Sequence, residues 1–209
     1  MHDRDVRNAI LEMLDREHSG DIHTRIVEEM GIWSGTVRID VAVINGEITG
    51  FELKSDRDTL DRLPAQANVY SRVFDRVYLV AGTRHLEKAR QLVPKWWGII
   101  AATGTTDGVR LLQTRTAKKN PGPDPYLRAQ LLWKDEALSV LENYGLLKGY
   151  KSKPIRIVHE RLAKELTFED LSFCVREALK QRPQWLRQSV GDQGQMPVDS
   201  DFRPRSPAA

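Results

Sequence analysis

Cysteine and long apolar runs are scarce in this sequence. The single cysteine, Cys174, excludes an intramolecular disulfide, and this usage is typical of a reducing cytoplasm. No run approaches the about 18 consecutive apolar residues that favour a membrane span, and no basic segment followed by an apolar core opens the sequence. We therefore expect a soluble cytoplasmic protein that does not associate with a membrane.

The chain also lacks a strong charge of one sign. Its 32 Lys and Arg residues against 29 Asp and Glu residues leave a net charge of only +3, which is far from that of a histone-like binder. No Gly-rich phosphate loop and no Ser-His-Asp order stands out, and the lone histidines have no zinc-ligand spacing. Nucleotide-loop, serine-hydrolase and zinc classes are therefore disfavoured.

Two alternating apolar runs flank Asn45-Gly46 and predict a β-hairpin. A three-residue loop, Ile44-Asn45-Gly46, with Gly46 in the left-handed region would place Arg38 opposite Glu52, with Asp40 diagonal to Glu52. Residues two apart on a strand share a face, so Glu52 and Lys54 should project together. The same register predicts one buried face made of Val37, Ile39, Val41, Val43, Phe51 and Leu53.

Two carboxylates that converge beside a lysine predict a cation site. Asp40 and Glu52 would repel each other unless a positive charge lay between them, and Mg²⁺ favours oxygen ligands of this kind. A bound Mg²⁺ could activate water for phosphodiester hydrolysis, with Lys54 orienting that water. The alternative is that the three side chains form only the solvated face of an amphipathic hairpin.

The segment after the hairpin adds context to this pattern. A helix predicted over residues 57–72 would line one face with side chains four residues apart, namely Asp58, Arg62, Gln66 and Tyr70. An acid, Glu-x-Lys and then Gln-x-x-x-Tyr on the following helix resembles the PD-(D/E)XK nuclease superfamily. The wording Arg-Ile-Asp-Val-Ala-Val-Ile-Asn-Gly, Phe-Glu-Leu-Lys-Ser-Asp and Val-Pro-Lys-Trp-Trp-Gly also resembles a bacterial family within it. This resemblance runs from about Arg7 to Trp185.

The resemblance implies a role for each residue of the motif. Asp40 and Glu52 would be metal ligands, and the carbonyl of Leu53 would supply a third oxygen. Lys54 would orient the water or stabilise developing charge, and Gln66 would contact the site or the nucleic acid. The implied metal is Mg²⁺, with Mn²⁺ as the substitute.

The superfamily usually adds an upstream acid, and the sequence offers three candidates. Glu29 is favoured over Glu28 because this pair abuts the hairpin, and Glu12 on the first helix is the remaining choice. The alternative for the Glu28-Glu29 pair is an exposed segment end.

Basic side chains suggest how nucleic acid would be held. Between residues 147 and 164, six basic residues face one acid, and this local excess could follow a phosphate backbone. A solvated helical face explains the same charges equally well. The expected nucleic-acid contacts are Arg38, Arg62, Tyr70, Lys148, Lys151 and Lys153.

The order of elements predicts an α/β fold. A helix over 5–18 precedes the hairpin, and a buried strand over 76–81 should run parallel to a hairpin strand. A helix over 85–92 and a strand pair at 98–102 and 109–112 complete a restriction-endonuclease-like core, with a central mixed sheet flanked by helices.

Domain boundaries are predicted from composition. Residues 1–119 form the nuclease-like core, the Pro-rich segment 120–125 is a connector, residues 126–187 form a helical module and 188–209 form a disordered tail. Helices are expected at 126–147, 154–165 and 167–180.

These patterns together predict a Mg²⁺-dependent nuclease that hydrolyses DNA with activated water. The rival is a nucleic-acid-binding or regulatory module that keeps the fold without hydrolysis, and a third reading is an unrelated α/β protein. The sequence leaves open whether RNA is the substrate and whether the protein acts as a homodimer.

Overall fold

A computed structural model describes residues 1–32 and 37–183 of the chain. The helices are α1 Asp3–Glu17, α2 Leu63–Val73, α3 Leu86–Leu92, α4 Pro125–Ala129, α5 Lys134–Asn143, α6 Ile155–Glu165 and α7 Phe168–Lys180. The strands are β1 Arg25–Ile32, β2 Val37–Ile44, β3 Ile48–Lys54, β4 Arg76–Gly82, β5 Gly98–Thr105 and β6 Gly108–Arg115.

The six strands form one mixed sheet in the order β1-β2-β3-β4-β5-β6. Strands β3, β4 and β5 run parallel, and their crossovers contain α2 and α3. The other neighbours pair antiparallel. The predicted α/β class with a mixed sheet is confirmed, and the strand predicted at 76–81 matches β4, which runs parallel to β3 of the hairpin.

Helices cover both faces of the sheet. On one face α1 packs Val6, Ile10 and Leu14 into a cluster that includes Val41 and Phe51. The opposite face carries a larger cluster that contains side chains from α2 and from α3 to α7. Because both faces are covered, polar side chains near the middle of β3 are removed from water.

The side-chain alternation of β1 and β2 breaks at Glu29 and Asp40. Pairs on either side of these two residues keep one register, so Glu29 and Asp40 lie opposite each other. Glu29 has a positive φ of 55°, unusual for a residue with a side chain. After the break, Ile39 joins the large cluster, whereas Val41 belongs to the α1 side. The prediction that Ile39 and Val41 share one buried face is therefore wrong.

The hairpin turn also differs from its prediction. Ile44 pairs with Ile48 and Val41 pairs with Phe51, so the loop is Asn45-Gly46-Glu47. Positive φ occurs at other glycines but not at Gly46. The Asn45 side chain instead accepts the Glu47 amide hydrogen at 3.0 Å and closes the loop. Even positions still face even positions, but continuing this register brings Asp40, rather than Arg38, opposite Glu52.

Helix α2 is shorter than predicted. The predicted helix began at residue 57, but Asp58 accepts hydrogen bonds from the amide and hydroxyl of Ser55, and this turn holds the chain out of the helix. The helix begins at Leu63 with Pro64 in its first turn. Asp58 therefore does not share a helix face with Gln66.

Strand β1 was not predicted, because its alternation is interrupted at Glu29.

The Pro-rich segment is tied to the sheet side of the molecule. The Asn120 side chain donates to the carbonyl oxygens of Ser71 and Phe74, at 2.7 and 2.8 Å. Asp124 then caps α4 by accepting the amide hydrogens of Tyr126 and Leu127. The segment is thus held by specific hydrogen bonds at both of its ends.

The helices after this segment share the apolar cluster of the sheet. Leu127, Leu162 and Val175 belong to the same cluster as Leu79 of β4. The core is therefore continuous across the predicted boundary at 120–125.

The predicted helix 126–147 is divided into α4 and α5, because the Glu136 side chain accepts the Trp133 amide hydrogen and starts a new helix. The helices predicted at 154–165 and 167–180 match α6 and α7 within one residue. Residues 184–187 and the predicted disordered tail, 188–209, lie outside the described residues.

Candidate active site

Glu52 and Lys54 form a buried ion pair on β3. Lys54 Nζ lies 2.5 Å from Glu52 Oε1, and the two side chains are only 8% and 1% exposed. Their spacing of two residues places both on the same side of the strand, as predicted. Because β3 is flanked by β2 and β4 and covered by helices, water screens the attraction between these two charges only weakly.

Helix α2 supports Glu52 from the large-cluster side. The Tyr70 hydroxyl lies 2.9 Å from Glu52 Oε2 and 2.7 Å from the main-chain oxygen of Arg38. One turn earlier, Gln66 Nε2 donates to the Tyr70 hydroxyl at 3.4 Å. Tyr70 is fully buried, so its prediction as a direct nucleic-acid contact is wrong. Its hydroxyl orients Glu52 instead.

Asp40 is bonded on both carboxylate oxygens. Its Oδ2 accepts the Leu53 amide hydrogen at 2.8 Å, and its Oδ1 accepts a hydrogen from Arg7 Nη2 at 3.0 Å. Arg7 Nη1 also donates to the main-chain oxygen of Asp40 at 3.1 Å. The Asp40 carboxylate is therefore held against the backbone of β3 by the Leu53 amide, and its negative charge lies near Glu52.

Burial makes both carboxyl groups harder to ionise. Desolvation, followed by repulsion from Asp40, raises the pKa of Glu52 to about 7, although Lys54 and Tyr70 favour its ionised form. Desolvation also raises the pKa of Asp40, against the opposing effects of the Leu53 amide, Arg7 and Lys54. The site thus holds a buried acid, Glu52, and a half-buried acid, Asp40, whose negative charges repel each other, and a bound cation would relieve this repulsion.

Arg7 and Glu29 extend this site toward the sheet edge. Arg7 Nη2 lies 2.7 Å from Glu29 Oε1, and the other oxygen of Glu29 pairs with Arg38 Nε. Repulsion from Glu29 contributes to the raised pKa of Asp40. The structure therefore brings the favoured upstream acid next to Asp40, on the opposite strand, but turns it toward two arginines.

Arg7 was missed in the sequence. It lies on α1 one helical turn before Ile10 and Leu11, both buried, so it borders the apolar stripe of that helix. A basic residue at such a border, on a helix that packs on the motif strands, is the signal that could have indicated it.

The remaining predicted residues lie at the surface. Arg38 has a side chain 64% exposed, and Arg62 is exposed at the start of α2. Lys148, Lys151 and Lys153 are exposed in the segment between α5 and α6. These five residues remain predicted nucleic-acid contacts.

Two arginines of the basic segment already pair with acids of their own helix, Arg156 with Glu160 and Arg161 with Glu165. The three exposed lysines are therefore the larger part of the charge available to a phosphate backbone.

The other upstream acids are placed differently from Glu29. Glu12 lines a cleft of about 570 Å³ between α1 and the β5–β6 turn, and none of Asp40, Glu52 and Lys54 lines that cleft. Glu28 Oε2 lies 3.9 Å from Arg7 Nη1, farther than Glu29 Oε1 lies from Nη2 of the same side chain. Of these two acids, Glu29 is thus the closer to Arg7, and it is also the one that lies opposite Asp40.

The oxygen donors around Asp40 and Glu52 are few in number. Among the described residues, no three His, Cys, Asp or Glu side chains are grouped as metal ligands. One further oxygen donor comes from Gln66, whose Nε2 contacts Tyr70 and whose Oε1 is buried without a hydrogen-bond partner within the described structure. Hard oxygen donors of this kind fit Mg²⁺ better than a softer metal. The set is therefore compatible with Mg²⁺ through Asp40 and Glu52. Glu29, the predicted upstream ligand, lies opposite Asp40 and pairs with Arg7 and Arg38.

The fold and the site together define an α/β protein whose mixed sheet carries a buried Glu52–Lys54 ion pair beside the half-buried Asp40. The family described as Bacteriophage P4 protein cII matches residues 1–193, and the chain belongs to that family. Protein cII of Enterobacteria phage P4 is 24% identical over 182 residues, which cover 87% of this chain and 68% of that protein.

No solved structure matches the chain. The resemblance to the PD-(D/E)XK superfamily therefore rests on the motif residues, since the comparisons connect the chain with the phage family instead. Throughout the described segments, no helix combines the length and the hydrophobicity needed to cross a bilayer.

Proposed function

We propose that this protein is a Mg²⁺-dependent nuclease that hydrolyses phosphodiester bonds of DNA. The observation that carries the proposal is the buried Glu52–Lys54 ion pair with the half-buried Asp40 beside it, and the pKa of each carboxyl group is raised. Acids with perturbed pKa values that converge on a lysine are typical of functional sites, because catalysis needs groups whose ionisation is set by burial and by neighbouring charges. Family membership alone assigns no reaction to the chain.

Each residue of the cluster has a role in this proposal. Asp40 and Glu52 hold the cation, which when bound would polarise the scissile phosphate and make water more acidic. Lys54 orients the attacking water and stabilises negative charge on the phosphate oxygens. Tyr70 holds Glu52 in place, and Gln66 offers its unsatisfied oxygen to the site. The Leu53 carbonyl remains a proposed third ligand.

Exposed basic side chains would bind the nucleic-acid substrate. Arg38 and Arg62 belong to the segments that carry the site, and the lysine-rich segment between α5 and α6 would follow the phosphate backbone. These groups recognise phosphate charge, so RNA is the competing substrate in the test.

The test is incubation of the purified protein with labelled single-stranded, duplex, flap and junction DNAs and with RNA. Each substrate is treated with Mg²⁺, with Mn²⁺ and with EDTA. We expect cleavage with either metal and none with EDTA. Asp40→Asn, Glu52→Gln and Lys54→Ala should each lower the rate by at least about 10²-fold while leaving the fold intact.

Glu142→Gln, which changes an exposed acid on α5, is the matched control and should cut like wild type. If the protein binds these substrates but cleaves none of them in any metal, it is a nucleic-acid-binding module instead. If the three site variants cut as fast as the control, the assignment of the site is wrong.

A further inference from the structure

One arginine of α1 is surrounded by carboxylates. The guanidinium of Arg7 lies 2.7 Å from Glu29 and 3.0 Å from Asp40. The carboxylates of Asp3 and Glu28 lie at 3.6 and 3.9 Å. The Arg7 side chain is only 17% exposed, and among its four partners Asp40, at 22%, is the least exposed, so the contact with Asp40 is the least screened by solvent.

The contacts of Arg7 fix Asp40 at two atoms. One terminal nitrogen donates to the main-chain oxygen of Asp40 and the other donates to its carboxylate. A planar guanidinium can hold two acceptors in a fixed relative position, whereas an ammonium group acts as a point charge. The backbone of β2 and the direction of the Asp40 carboxylate are thus set together.

Arg7 is itself held by a rigid element. Its neighbours Val6 and Ile10 are fully buried against the sheet, so α1 cannot shift without opening that cluster. The second contact of Arg7 is Glu29, whose left-handed backbone stands opposite Asp40. Backbone strain of this kind persists only where the surroundings maintain it. The pairing with Arg7 is one such contact.

We propose that Arg7 is a positioning residue for catalysis: it holds the Asp40 carboxylate in the direction needed to bind the cation, and it holds Glu29 beside Asp40. This inference rests on the proposed nuclease function. Each carboxylate oxygen has two lone-pair directions, so Asp40 Oδ1 can accept the Arg7 hydrogen and still bind a cation. Partners of this kind orient the ligands of metal sites in many proteins.

Two other roles for Arg7 make different predictions. As a competing cation, Arg7 would occupy the place of the metal, and its removal would strengthen metal binding. As a phosphate contact, it would bind DNA directly, but four surrounding carboxylates make this position unfavourable for an anion.

The experiment compares wild type with Arg7→Lys and Arg7→Ala. Arg4→Ala is the control, since Arg4 is an exposed arginine on the same helix. Circular dichroism and thermal melting in EDTA establish folding. Mg²⁺ titrations then measure kcat on saturating DNA and, independently, the rise of the melting temperature. DNA titrations at saturating Mg²⁺ and at several salt concentrations measure KM.

We expect Arg7→Ala to lower kcat about 10-fold or more and to raise the Mg²⁺ concentration for half-saturation about 5-fold, with little change in KM for DNA. Arg7→Lys should recover less than half of either loss, because lysine keeps the positive charge but lacks the two guanidinium nitrogens that hold both Asp40 oxygens. Arg4→Ala should match wild type in both titrations.

Tighter Mg²⁺ binding by Arg7→Ala would overturn the proposal in favour of a competing cation. A rise in KM and a smaller salt dependence with unchanged Mg²⁺ affinity would identify a DNA contact instead. Wild-type titrations by a folded Arg7→Ala protein would leave Arg7 with a structural role only. An inactive wild type with no Mg²⁺-dependent melting shift would instead show failure of the proposed function, and of this inference with it.

Discussion

Burial determines the chemistry of Glu52. An exposed glutamate ionises with a pKa near 4.5, whereas the pKa of Glu52 is raised to about 7 by loss of water and by the charge of Asp40. The folded protein therefore holds this proton more tightly than the unfolded chain does. The stability contributed by Glu52 is fully present below about pH 4.5 and is lost as the pH rises through about 7.

We predict that Glu52→Gln weakens the pH dependence of stability in metal-free protein. The displacement of the Glu52 pKa corresponds to roughly 3 kcal/mol between the two ends of this pH range. The amide cannot ionise but still offers Lys54 an acceptor, so the variant should gain melting temperature relative to wild type as the pH rises from 5 to 8. Thermal melting in EDTA measures this difference.

Glu142→Gln serves as the control for this series and should follow wild type at each pH, because Glu142 is exposed. A difference between Glu52→Gln and wild type that stays constant across the range would contradict the raised pKa.

At the scale of elements, one buried ion pair connects the sheet to the later helices. Arg128 of α4 donates to both oxygens of Asp75 at the start of β4, at 2.9 and 3.3 Å, and Asp75 also accepts the amide hydrogen of Ile48. Arg128 is fully buried and lies over the ring of Phe168 on α7. The pair thus joins β3, β4, α4 and α7 at one point.

Arg128→Ala should destabilise the protein by roughly 3–5 kcal/mol, because it leaves the Asp75 carboxylate buried without its counter-charge. Urea unfolding measures the change. Arg72→Ala is a suitable control, since Arg72 pairs with Asp124 but is about half exposed, and should cost less than about 1 kcal/mol. Equal losses from the two variants would mean that burial does not decide the strength of these pairs.

At the scale of the whole molecule, charge is distributed unevenly around a continuous core. The sheet and the later helices share one apolar cluster. The near-neutral total of +3 conceals an excess of positive charge between residues 147 and 164. A protein of this kind can hold a polyanion on one segment without the solubility behaviour of a strongly basic chain.

Neutralising Lys148, Lys151 and Lys153 together should weaken DNA binding and flatten its salt dependence, since each lost phosphate contact removes roughly 0.7–0.9 from the log–log slope. Turnover on saturating DNA should change much less, because these contacts are expected to act equally on substrate and transition state. Binding isotherms at several salt concentrations provide the measurement. The charge-matched control replaces three exposed lysines elsewhere, Lys95, Lys118 and Lys134.

An unchanged affinity and slope in the Lys148/Lys151/Lys153 variant would assign the segment to packing or to self-association. An equal loss in the control variant would show that net charge, rather than the position of the lysines, governs binding.

Much of the fold was predictable because its signals are local. Strand β4 was recognised by a short apolar run ending in glycine, and α7 by Thr167, whose hydroxyl accepts the Asp170 amide hydrogen at its first turn. Strand β1 was not recognised, because the phase of its side chains changes at Glu29. The three-residue loop was shifted by one position, because the choice between Gly46 and Asn45 as the residue that closes it depends on hydrogen bonds within the turn.

The sequence by itself determined that Glu52 and Lys54 share a side of one strand, since strand geometry repeats every two residues whatever surrounds it. Only the tertiary structure decided what surrounds them. Arg7 reaches Asp40 across 33 residues of sequence, and Tyr70 reaches Glu52 across 18. Such contacts depend on how helices pack on both faces of the sheet, and no local pattern encodes that packing. The burial it produces raises the pKa of both acids and sets the chemistry of the site.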